Sequence, residues 1–205
     1  MLFSKVSNFL SRLLLGEDVV LVRQTKGQWE RQYADGAWDR LKEGQPNTIE
    51  LARLISEYAR TRGMPVRVLD VGCGNGGLAH LIADKVDYTG IDISTLAIAS
   101  ARKVAPRGTF IACDAMSSNK NLGVFDAIVF NELLYYLDPR TLLPYYRTHA
   151  DSNTLVYISV VRFWRSWFIW KRIRSVLRIG RLVTVRHPIS GQCWDIAIGH
   201  FNRAS

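Results

Sequence analysis

The stretch Val68-Leu69-Asp70-Val71-Gly72-Cys73-Gly74-Asn75-Gly76-Gly77 constrains this chain more than any other. An apolar run stops at a carboxylate, a glycine-dense turn follows, and Leu78-Ala79-His80-Leu81-Ile82-Ala83 then continues with helical spacing. Strand, tight glycine turn and helix start in that order belong to an open α/β sheet that binds a ligand beyond a strand's C-terminal end. Glycine suits such a turn because some positions need positive φ and because a side chain would hold a ligand off the backbone.

The glycines alone leave the ligand open. Gly72, Gly74 and Gly77 satisfy the G-x-G-x-x-G spacing of dinucleotide enzymes, which keeps a nicotinamide-dependent oxidoreductase as an alternative. Charge separates the readings. A dinucleotide brings its pyrophosphate against this loop, where Asp70 would repel it. A sulfonium ligand with an ammonium group reverses that sign. Three further strand ends follow: Tyr88-Thr89-Gly90-Ile91-Asp92-Ile93, Thr109-Phe110-Ile111-Ala112-Cys113-Asp114-Ala115, and Phe125-Asp126-Ala127-Ile128-Val129-Phe130-Asn131-Glu132. Asp92, ending the second strand, suits ribose hydroxyls; taken alone it also reads as a helix N-cap.

With these motifs in order, the chain resembles the class I S-adenosylmethionine-dependent methyltransferases over roughly residues 66–200. The resemblance implies that Asp70, Gly72, Cys73 and Gly74 line the methionine part of S-adenosyl-L-methionine. It places Asp92 on the ribose diol with Ile93 on the adenine, Asp114 at the adenine amino group, Ala115 at the ring edge, and Asn131 beneath the sulfonium. Cys73 is read as a small packing residue of that loop rather than a nucleophile.

The 205 residues suffice for a three-layer core. Alternating segments predict a three-layer α/β sandwich with a seven-stranded, mostly parallel sheet, its last strand antiparallel at or near an edge. Thr48 to Thr61 reads as a helix with Asn47 as its cap, Ser94 to Lys103 as a crossover helix, and Pro139 as the start of a helix toward His149. Thr154 to Val161 reads as the fifth strand, Phe163 to Ile179 as a helix, Arg181 to Arg186 as the sixth strand and Trp194 to Phe201 as the seventh. His187 to Cys193 is short enough for a hairpin link.

Residues 1–45 are expected to form an N-terminal helix and an aromatic lid, and 46–205 the cofactor-binding domain. Residues 2–15 have helical apolar spacing; Arg12 interrupts the stretch and no small-residue cleavage site follows, which argues against a secretory signal. Trp29, Tyr33 and Trp38 supply rigid apolar surface for a substrate lid, or simply pack on the sheet. The three cysteines form neither a disulfide framework nor a metal set, so no metal is expected and a reducing cytoplasm suits the chain.

For the chemistry, the end of the fourth strand offers Glu132 as general base or amine-binding group, and Tyr135 or Tyr136 to orient an acceptor or touch a sulfonium. Glu132 reads equally as a helix N-terminal acid. Asn131-Glu132-Leu133-Leu134 lacks the two prolines that amino-methylating enzymes of nucleic-acid bases carry there, so nucleic acid is not expected as the partner. Glu132 to Leu137 instead resembles small-molecule methyltransferases, including nodulation-type amino-sugar N-methylating enzymes. The expected acceptor is a hydroxyl or amine of a small molecule, such as a sugar or lipid-linked precursor. An RNA or protein methyltransferase and a non-catalytic cofactor-binding module are the alternatives.

The net charge of +9 is concentrated. Between Ser152 and Trp194 there is no Asp or Glu, while Arg162, Arg165, Lys171, Arg172, Arg174, Arg178, Arg181 and Arg186 all fall there. Interleaved with tryptophans, they make residues 163–179 a packed helix with a solvated cationic face, a membrane-surface element together with 2–15, or an RNA- or protein-docking surface.

Overall fold

Strand and helix boundaries each have a local cause. The computed structural model describes residues 24–39, 44–117, 122–164 and 166–202; the segment 2–15 lies outside the described residues. Helix α1 (Lys26–Ala34) opens with a capping box in which Thr25 accepts from the Gln28 amide and Gln28 reaches back to the Thr25 amide. Helix α2 (Pro46–Arg62) begins with proline in its first turn and stops at Gly63, which is left-handed. Gln45 holds its N-cap position; Asn47 is not the expected cap but a buried residue of the first turn.

Strand β1 (Arg67–Val71) leads through the glycine turn into helix α3 (Gly77–Ile82). Strand β2 (Asp87–Asp92) is followed by helix α4 (Thr95–Val104), whose N-cap Ser94 accepts from the Ala97 amide. Then come β3 (Thr109–Ala112), β4 (Ala127–Asn131), helix α5 (Pro139–Tyr146) with a single 3-10 turn to His149, and β5 (Leu155–Val161). Helix α6 (Ser166–Val176) and the hairpin β6 (Leu177–Arg186) and β7 (Cys193–Phe201) complete the described chain.

The seven strands form one sheet in the order β3-β2-β1-β4-β5-β7-β6. The first five pair in parallel, and β7 runs antiparallel to both of its neighbours, one strand in from the edge. Helices α2, α3 and α4 cover one face through Leu51, Ile55, Leu78, Ile82 and Ile98; α5 and α6 cover the other through Leu142, Leu143, Tyr146, Ile169 and Ile173. With both faces covered, β1, β4 and β5 are almost continuously buried. Truncating a fully buried leucine such as Leu51 would cost about 2–5 kcal/mol.

One expected element is revised. The helix expected over Phe163 to Ile179 spans only Ser166–Val176, and β6 begins at Leu177 instead of Arg181. Leu177 and Ile179 pair with Phe201 and Gly199, extending the hairpin ladder into the apolar run that imitated a helix. The exposed arginines of β6, Arg178, Arg181 and Arg186, therefore lie on an edge strand, where charge discourages pairing with other chains. Connections leave β1 toward β2 and β3 on one side, and β4 and β5 lie on the other. Such a switch point opens a crevice at the strand C-termini.

Candidate active site

The crevice begins with backbone. After β1 the chain turns through Gly72 and Gly74, at φ of 78° and 56°. The Gly72 and Cys73 amides donate to the Ile91 carbonyl at 2.8 and 2.9 Å, clipping the turn to β2. A Cβ on Gly72 would come within 2.9 Å of Leu133 Cδ1, and one on Gly74 within 3.0 Å of the Tyr33 hydroxyl. Cys73 is buried, and burial raises its thiol well above the ordinary range, so it is no nucleophile.

Two acids flank this turn. Asp92 accepts from the Gly74 amide through Oδ2 at 3.0 Å and from the Ser94 amide through Oδ1 at 2.9 Å. Burial raises its pKa against the pull of those amides. Asp70 is 2% exposed; Oδ2 accepts from the Tyr88 hydroxyl, while Oδ1 is buried without a hydrogen-bond partner. Burial pushes Asp70 up to about 7, with Tyr88 pulling down and Asp92 adding to the rise. Ile93 follows Asp92, half-buried. Ala112 lies opposite Asp92 in the sheet, so Asp114 and Ala115 follow just beyond that register. Asp114 is exposed and accepts from the Met116 amide at 2.7 Å; the Ala115 carbonyl accepts from Tyr146 at 2.7 Å.

Helix α1 lies over this half. Glu30 accepts from Ser94 Oγ at 2.8 Å, from the amide and hydroxyl of Thr95 at 2.7 Å each, and from the Leu96 amide at 3.2 Å. It thereby satisfies the open N-terminus of α4 with a charge of favourable sign. Desolvation pulls its pKa upward, but these bonds outweigh it and hold the carboxyl at about 2. Asn75 Nδ2 donates to the Trp38 carbonyl at 2.8 Å. The rings of Trp29, Tyr33 and Trp38 lie 5.8 to 6.5 Å apart, and Trp29 meets Tyr136 edge-on at 4.9 Å. The three expected lid aromatics thus come together, against both the glycine turn and the end of β4. Glu30 escaped sequence reading; its only signal is that it is the sole acid between Thr25 and Ala34.

The other half is built from side chains. Asn131 Oδ1 accepts from Asn47 Nδ2 at 2.9 Å, and Asn131 Nδ2 donates to Thr48 Oγ1 at 3.1 Å. Asn47 also donates to Ser159 Oγ at 3.0 Å, tying the start of α2 to β4 and β5. Glu132 follows at φ 56°, the only positive value at a non-glycine among the described residues. Such a conformation costs about 1–3 kcal/mol and persists where surrounding contacts impose it. Glu132 Oε1 accepts from the Tyr135 hydroxyl at 2.9 Å and from Ser159 Oγ at 3.3 Å, and the Tyr135 oxygen accepts from the Val161 amide. Burial pushes Glu132 up to about 8, against the pull of Tyr135, Trp194 and Ser159. Burial and the Glu132 charge hold the Tyr136 hydroxyl far above its ordinary range. Glu132 is therefore not a helix N-terminal acid; α5 begins only at Pro139, capped by Asp138.

These residues fit S-adenosylmethionine. The buried, unpartnered Asp70 oxygen and the raised pKa values of Asp70 and Asp92 call for a cation or donor, and an anionic pyrophosphate would meet both acids. The turn between them passes so close to Leu133 and Tyr33 that a side chain at Gly72 or Gly74 would not fit.

Residues 68–151 match the family model described as a methyltransferase domain. By this match the chain carries a methyltransferase domain, and its sheet order is the fold of S-adenosylmethionine-dependent methyltransferases of known structure. Similar solved structures include the N-methyltransferase NodS from Bradyrhizobium japonicum with S-adenosylhomocysteine. It is 21% identical with a TM-score of 0.69, covering 87% of this chain and 98% of that one. Magnesium protoporphyrin IX methyltransferase from Synechocystis, with bound cofactor, is 16% identical with a TM-score of 0.64, covering 84% and 96%. The plantazolicin methyltransferase BpumL, with S-adenosylhomocysteine, is 18% identical with a TM-score of 0.60, covering 84% and 91%. No curated protein matches the sequence.

Proposed function

We propose that this enzyme methylates an amine or hydroxyl of a small-molecule acceptor, such as a sugar or lipid-linked precursor, with Glu132 receiving the acceptor's proton. The observation that carries the reading is Glu132 itself: a buried carboxyl in an imposed backbone conformation, with a pKa near 8, at the end of β4. A group poised near neutrality is matched to proton transfer. When bound, S-adenosylmethionine supplies a methyl group on a sulfonium, the leaving group of the displacement.

This chain's residues do the rest. Asp70 and the Gly72–Gly74 backbone would hold the amino-acid end, and Asp92 the ribose, with Ile93, Asp114 and Ala115 around the adenine. Tyr135 holds the Glu132 carboxylate in place, and Trp29, Tyr33, Trp38 and Tyr136 exclude water above the reacting centre. The small-molecule reading is supported by the proline-free Asn131–Leu134 stretch and the short lid. The plantazolicin methyltransferase among its neighbours, solved with a desmethylPZN analog, supports the same reading.

The test is transfer of a tritiated methyl group into small-molecule, lipid and macromolecular fractions of an extract, with wild type and Glu132→Gln. Label should enter the small-molecule or lipid fraction and fall at least about 100-fold in the variant. Label confined to RNA or protein would refute the acceptor class, and an unimpaired variant would refute the role of Glu132.

A further inference from the structure

Helix α6 carries two unlike surfaces. Ser166, Ile169, Trp170 and Ile173 are buried against the sheet. On the outward side, Trp164, just before the helix, is 63% exposed, Trp167 53% and Phe168 36%. The rings of Trp167 and Phe168 stack at 3.7 Å between centroids. One and two turns further along the same side stand Lys171 and Arg174, both exposed. Isolated exposed apolar side chains such as Ile49 or Leu182 are ordinary, but three adjacent aromatics with a cationic continuation are not.

The cations divide by partner. Arg162 pairs with Asp195, and Arg172 lies 3.9 Å from Asp138. Among the described residues, Lys171 and Arg174 form no ion pair. Their charge is free to meet an external anion.

The patch also adjoins the acceptor side of the site. Tyr135, bonded to Glu132, has its ring 6.2 Å from that of Phe163, the residue preceding Trp164. The aromatic end of the surface therefore adjoins the Tyr135–Glu132 pair through Phe163.

We infer that this face docks on an anionic lipid bilayer, with Trp164, Trp167 and Phe168 entering the headgroup region and Lys171 and Arg174 held by lipid phosphates. Tryptophan and phenylalanine beside cations on one helix face are the composition of an interfacial helix. Lipid is favoured over nucleic acid because Trp167 and Phe168 already use a ring face on each other, which a stacking base would need. The inference is independent of the acceptor's identity.

The full chain should be sedimented with phosphatidylcholine vesicles and with vesicles containing phosphatidylglycerol, at low and high salt. Binding is expected to be strongest to the anionic vesicles at low salt. At high salt it should fall to the weaker level seen with phosphatidylcholine, because aromatic insertion is not screened and does not need lipid charge. Lys171→Gln and Arg174→Gln should each weaken it about fivefold, and Trp167→Ser about tenfold. Unchanged circular dichroism and S-adenosylhomocysteine binding would show that these surface variants fold. Failure of the full chain to bind anionic vesicles overturns the inference. Equal binding by the Trp167 and Lys171 variants overturns it too. Binding to single-stranded RNA but not vesicles would reassign the surface to nucleic acid.

Discussion

At the ends of β1 and β2 the site consists mainly of backbone, whereas at the end of β4 it consists of side chains borrowed from distant segments. In the first region Gly72 and Gly74 turn, Asp92 accepts from two amides, and the loop amides hold β2. In the second, Asn131 is held by Asn47 and Thr48, and Glu132 by Tyr135, Ser159 and Trp194. A backbone cradle recognises what every reaction of the class shares, so it needs only local geometry. A side-chain network can be rebuilt for each acceptor without disturbing the turn. Binding and chemistry should therefore separate when the two regions are mutated.

The sharpest break is between Glu132 and Asp92. Glu132→Gln keeps size and hydrogen-bonding capacity but cannot take a proton, so kcat should fall about 10²–10⁴-fold. Calorimetric affinity for S-adenosylhomocysteine should stay within about twofold. Asp92→Ala should do the opposite, weakening that affinity about 100-fold through loss of charge-assisted bonds. If both variants lose binding and turnover in parallel, the division fails.

A subtler test uses pH. Burial raises folded-state Asp70 to about 7 and Glu132 to about 8, above their ordinary 3.8 and 4.5. The folded protein thus holds these protons more tightly than the unfolded chain. Stability from this source is complete below about pH 4 and is lost as pH rises through 7 and 8. Denaturant midpoints of the cofactor-free protein should fall over that range. Asp70→Asn should flatten the decline and leave the protein about 2 kcal/mol more stable at pH 8, while weakening cofactor binding. In the wild type, turnover should rise with pH through about 8 as Glu132 loses its proton.

The comparison also explains what could be read from the sequence. The glycine turn, Asp70, Asp92 and the order of segments were legible because each is a local pattern: apolar period, turn residue, acid at a strand end. The seven strands and the antiparallel β7 follow from the same logic. Asn47 was misread because a residue type suited to capping was judged without the buried Asn131 and Ser159 that claim its side chain. The C-terminal end of α6 was misread because helical spacing at Leu177 and Ile179 lost to pairing with β7. Glu30 was invisible because its partners, Ser94 to Leu96, lie more than sixty residues away.

Glu30 joins the two regions, and its effect should be the smallest and the most selective. Its carboxylate receives bonds from Ser94, Thr95 and Leu96, at the start of the helix that follows Asp92. The helix carrying it also places Tyr33 against Gly74 and Trp29 against Tyr136. Glu30→Gln retains an acceptor oxygen but removes the negative charge at the N-terminus of α4, a loss of about 0.5–1 kcal/mol at a partly exposed position. Closure of α1 should weaken by that amount, appearing as a two- to fivefold faster release of S-adenosylhomocysteine in stopped-flow fluorescence, with kcat for a saturated enzyme little changed unless release limits it. The sign with pH is opposite to that of Asp70. Glu30 has its folded pKa depressed to about 2, so its contribution is present above about pH 4.5 and lost as pH falls toward 2. Release should therefore quicken on acidification below about pH 4.5 in the wild type and respond less in Glu30→Gln. An equal acid response in both proteins would assign closure to the aromatic contacts alone and leave Glu30 as a cap for α4.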